Sequence, residues 1–248
     1  MNTSTDHGIV PILCFHHISD LEYYTAISRA RFVELLLRLK EKFTLIDSSD
    51  LGRTAFRTFT RPPLLLTFDD AYEDNIDPLL EAADSFGCKG IIFPVANYIG
   101  KHNDWNVKAH YRARHASRSH LKDLLDAGYQ IGSHTLDHIN LVRLEHVQMQ
   151  AQIKDSRQRL EDILQTRIEA ISYPFGWFNR EVAEMSSEYY RLGFSTLSKG
   201  GVSCWGKNPY AIGRLSVGLT ASIDQIIVGV ENWSITELDE MAGYSEQP

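Results

Sequence analysis

The segment Leu64-Leu65-Leu66-Thr67-Phe68-Asp69-Asp70 decides the reading of this chain. An unbroken apolar run after Pro62-Pro63 reads as a strand covered on both faces, as in a parallel sheet. It ends in two adjacent carboxylates. A second run, Tyr129-Gln130-Ile131-Gly132-Ser133, ends in His134, and His138 follows four residues later. One carboxylate and two imidazoles form a three-ligand set for a divalent cation with a position open for water. The second carboxylate is then free to act as a base. The combination points to metal-assisted hydrolysis.

Outward from these two runs, strand-like and helix-like segments alternate. Strands are expected at Ile9–Phe15, Leu64–Phe68, Gly90–Val95, Tyr129–Ser133, Ile168–Tyr173, Phe194–Leu197 and Leu215–Val217. Helices are expected at Arg29–Phe43, Asp74–Phe86, Ser119–Ala127 with Ser119 as N-cap, Leu144–Gln165, from Asn179 through Arg191, and Ala221–Val230. About seven β-then-α units predict an α/β fold of one domain over 1–248, with a core of about 9–230, around a parallel sheet closed into a barrel or nearly so. Reactive residues of such a barrel sit at the C-terminal strand ends, where Asp69, Asp70, His134, Tyr173-Pro174 and His16 all fall. The long irregular stretch 97–118 is expected to be a lid or a substrate wall.

Composition narrows the function classes. The chain has 248 residues, 43% of them hydrophobic, and its 25 basic and 32 acidic residues give a net charge of −7. That balance lacks the basic face of a nucleic-acid binder. Three widely spaced cysteines, Cys14, Cys88 and Cys204, argue against a disulfide framework or a cysteine-zinc site. The polar N-terminus lacks a signal-peptide pattern and no stretch has the length of a membrane span, so the default expectation is a cytoplasmic location. Oligomeric state is left open.

Each motif has a plainer reading. Asp69-Asp70 could cap the following helix. His134 and His138 share one side only if the residues between them form a helical turn. Tyr173-Pro174-Phe175-Gly176 could be an ordinary strand-to-loop turn, or could offer a backbone N–H to a developing oxyanion.

Taken together, the segments resemble the polysaccharide deacetylase family (NodB homology, carbohydrate esterase 4). Its first motif is present as Thr67-Phe68-Asp69-Asp70, its second as Ser133-His134-Thr135-Leu136-Asp137-His138, and its third as Tyr173-Pro174-Phe175-Gly176. The stretches Phe93–Val95, Tyr98–Gly100 with Trp105, and Asp126–Gly132 also look like this family, and the resemblance runs from about Ile9 to Val230. It implies a distorted (β/α)7 TIM-like barrel and a hydrolase that releases acetate from an N-acetylated glycan or amino sugar. Asp69 would be the general base. Asp70, His134 and His138 would hold the metal, zinc first, with cobalt, nickel or manganese as alternatives. The N–H of Phe175 would stabilise the oxyanion. Tyr173, Pro174, Trp105 and Arg214 are grouped with substrate binding.

The chain departs from the family pattern at three points. Ser172 stands where many members carry an arginine that orients the catalytic aspartate. The variant with a small residue at that position resembles the branch acting on poly-N-acetylglucosamine-type exopolysaccharide. Arg214, on the Ala211–Val217 strand, is expected to supply the missing cation beside Asp69. No late catalytic histidine is evident, and His16 is the candidate general acid, against a reading as a structural histidine. Trp205 is a weak match to a fourth-motif tryptophan. His102, His110, His115 and His120 are expected to form a solvated, substrate-facing or lid surface, Tyr111 could stack on a sugar as Trp105 could, and Asp137 either supports the metal site or caps a turn. Two other functions fit the residues: a hydrolase of the same fold acting on a non-sugar amide, and an inactive carbohydrate-binding barrel.

Overall fold

The computed structural model describes residues 10–21, 25–49, 51, 59–103, 105, 112–196, 208–218 and 220–231. Its strands are β1 (Ile12–Phe15), β2 (His17–Ile18), β3 (Ala26–Ile27), β4 (Thr44–Ile46), β5 (Pro63–Asp70), β6 (Ile91–Pro94), β7 (Gln130–Ile131), β8 (Ala170–Ser172), β9 (Leu192–Phe194) and β10 (Leu215–Ser216). Every ladder is parallel. β5 sits at the centre of the sheet ordered β10-β1-β5-β6-β7, with β4 paired to its first residues. β8 and β9 form a separate pair. Single parallel bridges at Ser133–Ile171 and Phe194–Ile212 carry the succession on from β7 to β8 and from β9 to the segment leading into β10. The ring of strands is thus distorted, with no continuous ladder running around it.

Side chains alternate along the strands and divide the core in two. Leu13, Phe15, Leu64, Leu66, Phe68 and Ile92 belong to the large cluster packed beneath the helices. Ile12, Leu65, Ile91, Phe93, Ala170, Phe194 and Ile212 form a smaller cluster inside the ring. The inward parity continues upward through Cys14 and His16, Thr67 and Asp69, Ser172, and Arg214. A polar floor therefore lies directly on an apolar plug of Phe93 and Phe194, whose rings meet at 5.4 Å.

Helices cover the outside: α1 (Arg29–Lys42), α2 (Ile76–Phe86), α3 (Arg118–Asp126), α4 (His146–Gln150), α5 (Ser156–Leu164), α6 (Arg180–Tyr189) and α7 (Ile223–Glu231). Among the described residues, no helix is long and apolar enough to cross a membrane. Several boundaries move from their expected places. Strand Ile9–Phe15 begins its ladder at Ile12, and Ile9 lies outside the described residues. The N-cap of α3 is Ser117, not Ser119, because the Ser117 hydroxyl accepts from His120 N–H at 3.2 Å and the His120 ring closes a capping box. The strand expected at Phe194–Leu197 is Leu192–Phe194, and Leu197 lies outside the described residues.

The helix expected over Leu144–Gln165 starts at His146 and is α-helical at both ends, with a π turn at Ala151–Asp155 between them. Such turns rephase a helix face. Gln152 here reaches Asp137, donating to its carboxylate at 2.7 Å and accepting its N–H at 3.0 Å, and the Ser156 hydroxyl meets that of Ser133 at 2.9 Å. The helix thereby holds both ends of the loop that carries the two histidines.

Gly132 precedes that loop for a steric reason. A Cβ there would stand 2.3 Å from the Phe93 ring and 2.9 Å from the Ala170 carbonyl oxygen. Both obstacles are buried, so Gly132→Ala is expected to destabilise the chain by about 1–3 kcal/mol. Denaturant unfolding checks this, and an unchanged midpoint would contradict the close approach.

Candidate active site

The two carboxylates at the end of β5 reach one site by different routes. Asp69 follows the inward parity of Leu65 and Thr67. Asp70 would point outward on a regular strand, but it has φ 64° and Ala71 has φ 54°. Two consecutive non-glycine residues in the left-handed region are strained by about 1–3 kcal/mol each. The turn is clamped by Ala71 N–H to Asp69 O at 2.8 Å, Ala116 N–H to Ala71 O at 2.8 Å, and the His115 ring nitrogen Nδ1 to Asp70 O at 2.7 Å. A hydrogen bond from Tyr72 also reaches the Asp70 carboxylate. Asp70 is therefore not a helix cap.

The histidine pair is placed by irregular backbone. Residues 135–137 form a turn in which Thr135 has φ 65°, and His138 follows with φ 55°. The helical turn expected between the histidines is absent, and the left-handed residues bring the rings together, 4.9 Å between centroids. His134 Nδ1 lies 2.8 Å from the Ser172 carbonyl, so it carries the proton and leaves Nε2 bare. Nε2 of His134 is 3.8 Å and Nε2 of His138 is 3.5 Å from Asp70 Oδ1.

That Oδ1 is buried and has no hydrogen-bond partner. Burial, then the adjacent charge of Asp69, pushes the Asp70 carboxyl up to about 8. Both imidazoles lie below their usual value, burial being the largest cause, and are neutral. A buried carboxyl oxygen without a partner, facing the bare Nε2 of His134 and the neutral ring of His138, with all three donor atoms within 4.8 Å of one another, suits a divalent cation. Asp70, His134 and His138 could hold it.

Asp69 is treated in the opposite way. Arg214 donates Nη1 to Oδ1 and Nη2 to Oδ2, both at 2.7 Å, in a bidentate fork. The same guanidinium reaches Thr67 Oγ1 at 3.1 Å, Ser172 Oγ at 2.8 Å and the Ser195 carbonyl at 3.3 Å. Its planar carbon lies 5.6 Å from the Phe93 ring and 5.8 Å from the Phe194 ring. Burial alone would raise the Asp69 carboxyl. Arg214 outweighs it, and the group is held well below the usual carboxylate range. Ser172, read in sequence only as a missing arginine, donates its hydroxyl to Asp69 Oδ2 at 3.0 Å, and Cys14 Sγ stands 3.5 Å from the same oxygen.

The remaining expected residues divide. His16 lies with Cys14 and Asp69 in one cluster, its Nδ1 buried without a partner. Burial lowers it to about 4, so its resting form is neutral and it must gain a proton before it can give one. Trp105 stacks on His138 at 4.5 Å and Phe175 stands edge-on to the same ring at 4.6 Å, so both border the site. Phe175 has φ 61° and ψ 5°.

Other placements overturn the expectation. Tyr173 is fully buried and gives its hydroxyl to the Tyr210 carbonyl at 2.9 Å, and Pro174 is buried beside it, so both are packing residues. Arg214, 1% exposed with its fork on Asp69, is likewise removed from contact with substrate. His115, expected at a solvated surface, is buried against Tyr72, Tyr98 and Trp105 and braces Asp70. His102 is exposed. Asp137 ties Asn97 and Gln152 together and touches neither ligand ring. His110, Tyr111, Cys204 and Trp205 lie outside the described residues. Tyr72 and His115 were missed because a tyrosine two residues after Asp70, and a histidine in a basic loop, carry no spacing signal.

Removing Arg214 leaves Asp69 buried without its counter-charge. Arg214→Ala is expected to lower stability by about 3–5 kcal/mol. Arg214→Lys, which keeps charge but loses the fork, should lose less. Equal unfolding midpoints for all three proteins would show that the pair does not hold the barrel mouth.

Comparison with known proteins follows the same residues. The family model described as polysaccharide deacetylase matches residues 57–192, more than half of the chain. A Bacillus subtilis (strain 168) protein assigned by name to the polysaccharide deacetylases, YxkH, is 30% identical over 156 residues, which are 62% of this chain and 51% of that protein. The match thus spans about half the length of that relative. Among solved structures, the Streptococcus pyogenes deacetylase PplD in complex with acetate superposes with a TM-score of 0.76 at 18% identity, covering 90% of this chain and 98% of that one. IcaB from Ammonifex degensii gives 0.75 at 19% identity, covering 90% and 97%. At these identities the structures establish a shared α/β fold. The family match, spanning Asp69, Asp70, His134, His138 and Phe175, establishes more: this chain belongs to the polysaccharide deacetylase family.

Proposed function

We propose that this chain is a metal-dependent hydrolase that removes N-acetyl groups from N-acetylated glycans or amino sugars and releases acetate, with N-acetylglucosamine units as the first substrate to try. The observation that carries this reading is the unlike treatment of two adjacent buried carboxylates. Asp70 has an uncompensated oxygen facing two neutral imidazoles, whereas Asp69 is kept ionised by Arg214. One is suited to a cation, and the other stays in the unprotonated form that a base must have.

In this reading Asp70, His134 and His138 bind a divalent cation, zinc in the first instance, or cobalt, nickel or manganese. Such an ion, when bound, supplies Lewis acidity that polarises an acetyl carbonyl and lowers the pKa of water. Asp69 accepts the proton of the attacking water. The N–H of Phe175 would donate to the developing oxyanion. The amine leaves with a proton returned by Asp69 or passed through His16, whose neutral ring can take a proton up and then release it. Trp105 flanks the sugar.

The test is acetate release from N-acetylglucosamine oligomers by chelated protein, then by zinc- or cobalt-reconstituted protein, with Asp70→Asn alongside. Metal-restored release that the variant lacks supports the reading. Release from non-sugar amides alone would transfer it to that substrate class.

A pH effect follows from Asp70. Burial and the neighbouring charge of Asp69 push the Asp70 carboxyl from the ordinary carboxylate range up to about 8, so ionising it costs the metal-free fold stability as pH rises through that window. A bound cation removes this penalty. The rise in Tm on adding zinc should therefore grow from pH 5 to about 8 and then level off, and Asp70→Asn should abolish the growth. A zinc effect independent of pH would contradict Asp70 as a ligand.

A further inference from the structure

The two histidines facing Asp70 are held in different ways. His134 has its ring fixed by a hydrogen bond from Nδ1–H to the Ser172 carbonyl at 2.8 Å. An outer partner of this kind orients almost every metal-binding imidazole and sets its tautomer. His138 has none among the described residues. Its Nδ1 is buried and meets no acceptor, while its Nε2 faces Asp70 Oδ1 at 3.5 Å. The backbone of His138, at φ 55° and with its N–H on Thr135 Oγ1 at 3.2 Å, places Cβ but does not fix the rotation of the ring.

Aromatic rings take over that task. The Trp105 indole stacks on the His138 imidazole with 4.5 Å between centroids and 20° between planes, and the Phe175 ring stands against it at 4.6 Å and 65°. Turning the imidazole about its Cβ–Cγ bond would drive it into the indole face. Trp105 is held in its turn. Tyr98 meets it edge-on at 4.8 Å, and the His115 ring lies 5.2 Å away at 57°. His115 is the residue whose Nδ1 meets the Asp70 carbonyl at 2.7 Å. Trp105 therefore contacts both His138 and the brace of Asp70, and so links the two segments that bear these donor atoms. The contact also strengthens when an ion is bound. An imidazole that coordinates a divalent cation takes on positive charge, and an indole face attracts positive charge better than any other aromatic side chain.

We propose that Trp105 is a positioning residue for the cation: its indole face, with the Phe175 ring, holds His138 in the ligating orientation that a hydrogen bond gives His134. This rests on the reading of Asp70, His134 and His138 as the ligands. Stacking replaces the missing outer acceptor, so the affinity of the site depends on an aromatic face at position 105 and not on apolar bulk alone.

The test uses cobalt(II), whose visible absorption reports its own coordination. Chelated protein and its variants are titrated with cobalt(II) in competition with a chromophoric chelator. Trp105→Ala is expected to bind cobalt about tenfold or more weakly than the parent, with an altered visible band. Trp105→Phe, which keeps an aromatic face, should return to within about threefold of the parent. Trp105→Leu, apolar but without that face, should stay as weak as Trp105→Ala. Trp177→Ala, whose ring meets Phe175 at 6.5 Å, should bind as the parent does. Thermal unfolding of the metal-free proteins shows which are folded at the titration temperature, and the comparison of Trp105→Phe with Trp105→Leu decides if Trp105→Ala is not. Equal affinities for the Phe and Leu variants, or parental affinity in Trp105→Ala, overturn the positioning role. Asp70→Asn keeps the two readings apart. Cobalt binding lost in Asp70→Asn but kept in Trp105→Ala leaves the ligands standing and removes the role of Trp105, whereas a parent that binds no cobalt overturns both.

Discussion

A buried ion pair, Asp69 with Arg214, is the interaction on which the rest of the site depends. It lies inside the ring of strands, directly on the Phe93 and Phe194 rings, and joins β5 to the segment before β10 with help from Thr67 on β5 and Ser172 on β8. Charges out of water are tolerated only when paired and hydrogen-bonded throughout. Here both carboxylate oxygens and the guanidinium fork find partners. The pair does two things at once. It seals strands that no continuous ladder joins, and it fixes the ionisation of the carboxylate nearest the candidate cation ligands.

The second constraint is that Asp70 must face the same centre as its neighbour. Regular strand geometry forbids this for adjacent residues, so the backbone turns through two left-handed residues, and Tyr72 and His115 brace the result. The histidine loop repeats the device with Thr135 and His138 in left-handed conformations, held by Ser133, Gln152 and Ser156. The π turn in the helix beneath it has a role in this context, since it presents Gln152 and Ser156 to that loop. Local irregularity and support from neighbouring elements come together at each ligand.

Much of this was legible in the chain. Apolar runs ending in Asp69-Asp70 and His134 gave the strand ends, and β-then-α alternation gave the parallel fold. The family motifs fell where those strands stop. Boundaries were less legible, because Ser117 and Ser119 are equally good caps until the His120 ring chooses between them. The helical turn expected at Thr135–His138 failed because spacing of four says nothing of backbone sign. Tyr173 and Pro174, attractive as a motif, turned out to be packing residues, since Tyr173 continues β8 into the core rather than out of it.

The sequence by itself determined the fold class and the residues able to bind a cation, because these follow from apolar periodicity and from residue chemistry, while the family resemblance pointed to Arg214 as the cation beside Asp69. Tertiary structure alone decided that Arg214 grips both oxygens of Asp69 in a fork, that Ser172 joins it, and that His115 braces Asp70 rather than solvating a loop. Arg214 is 145 residues from Asp69 in the chain. Only closing the strands into a ring puts both on the inside, where the low dielectric makes their pairing obligatory.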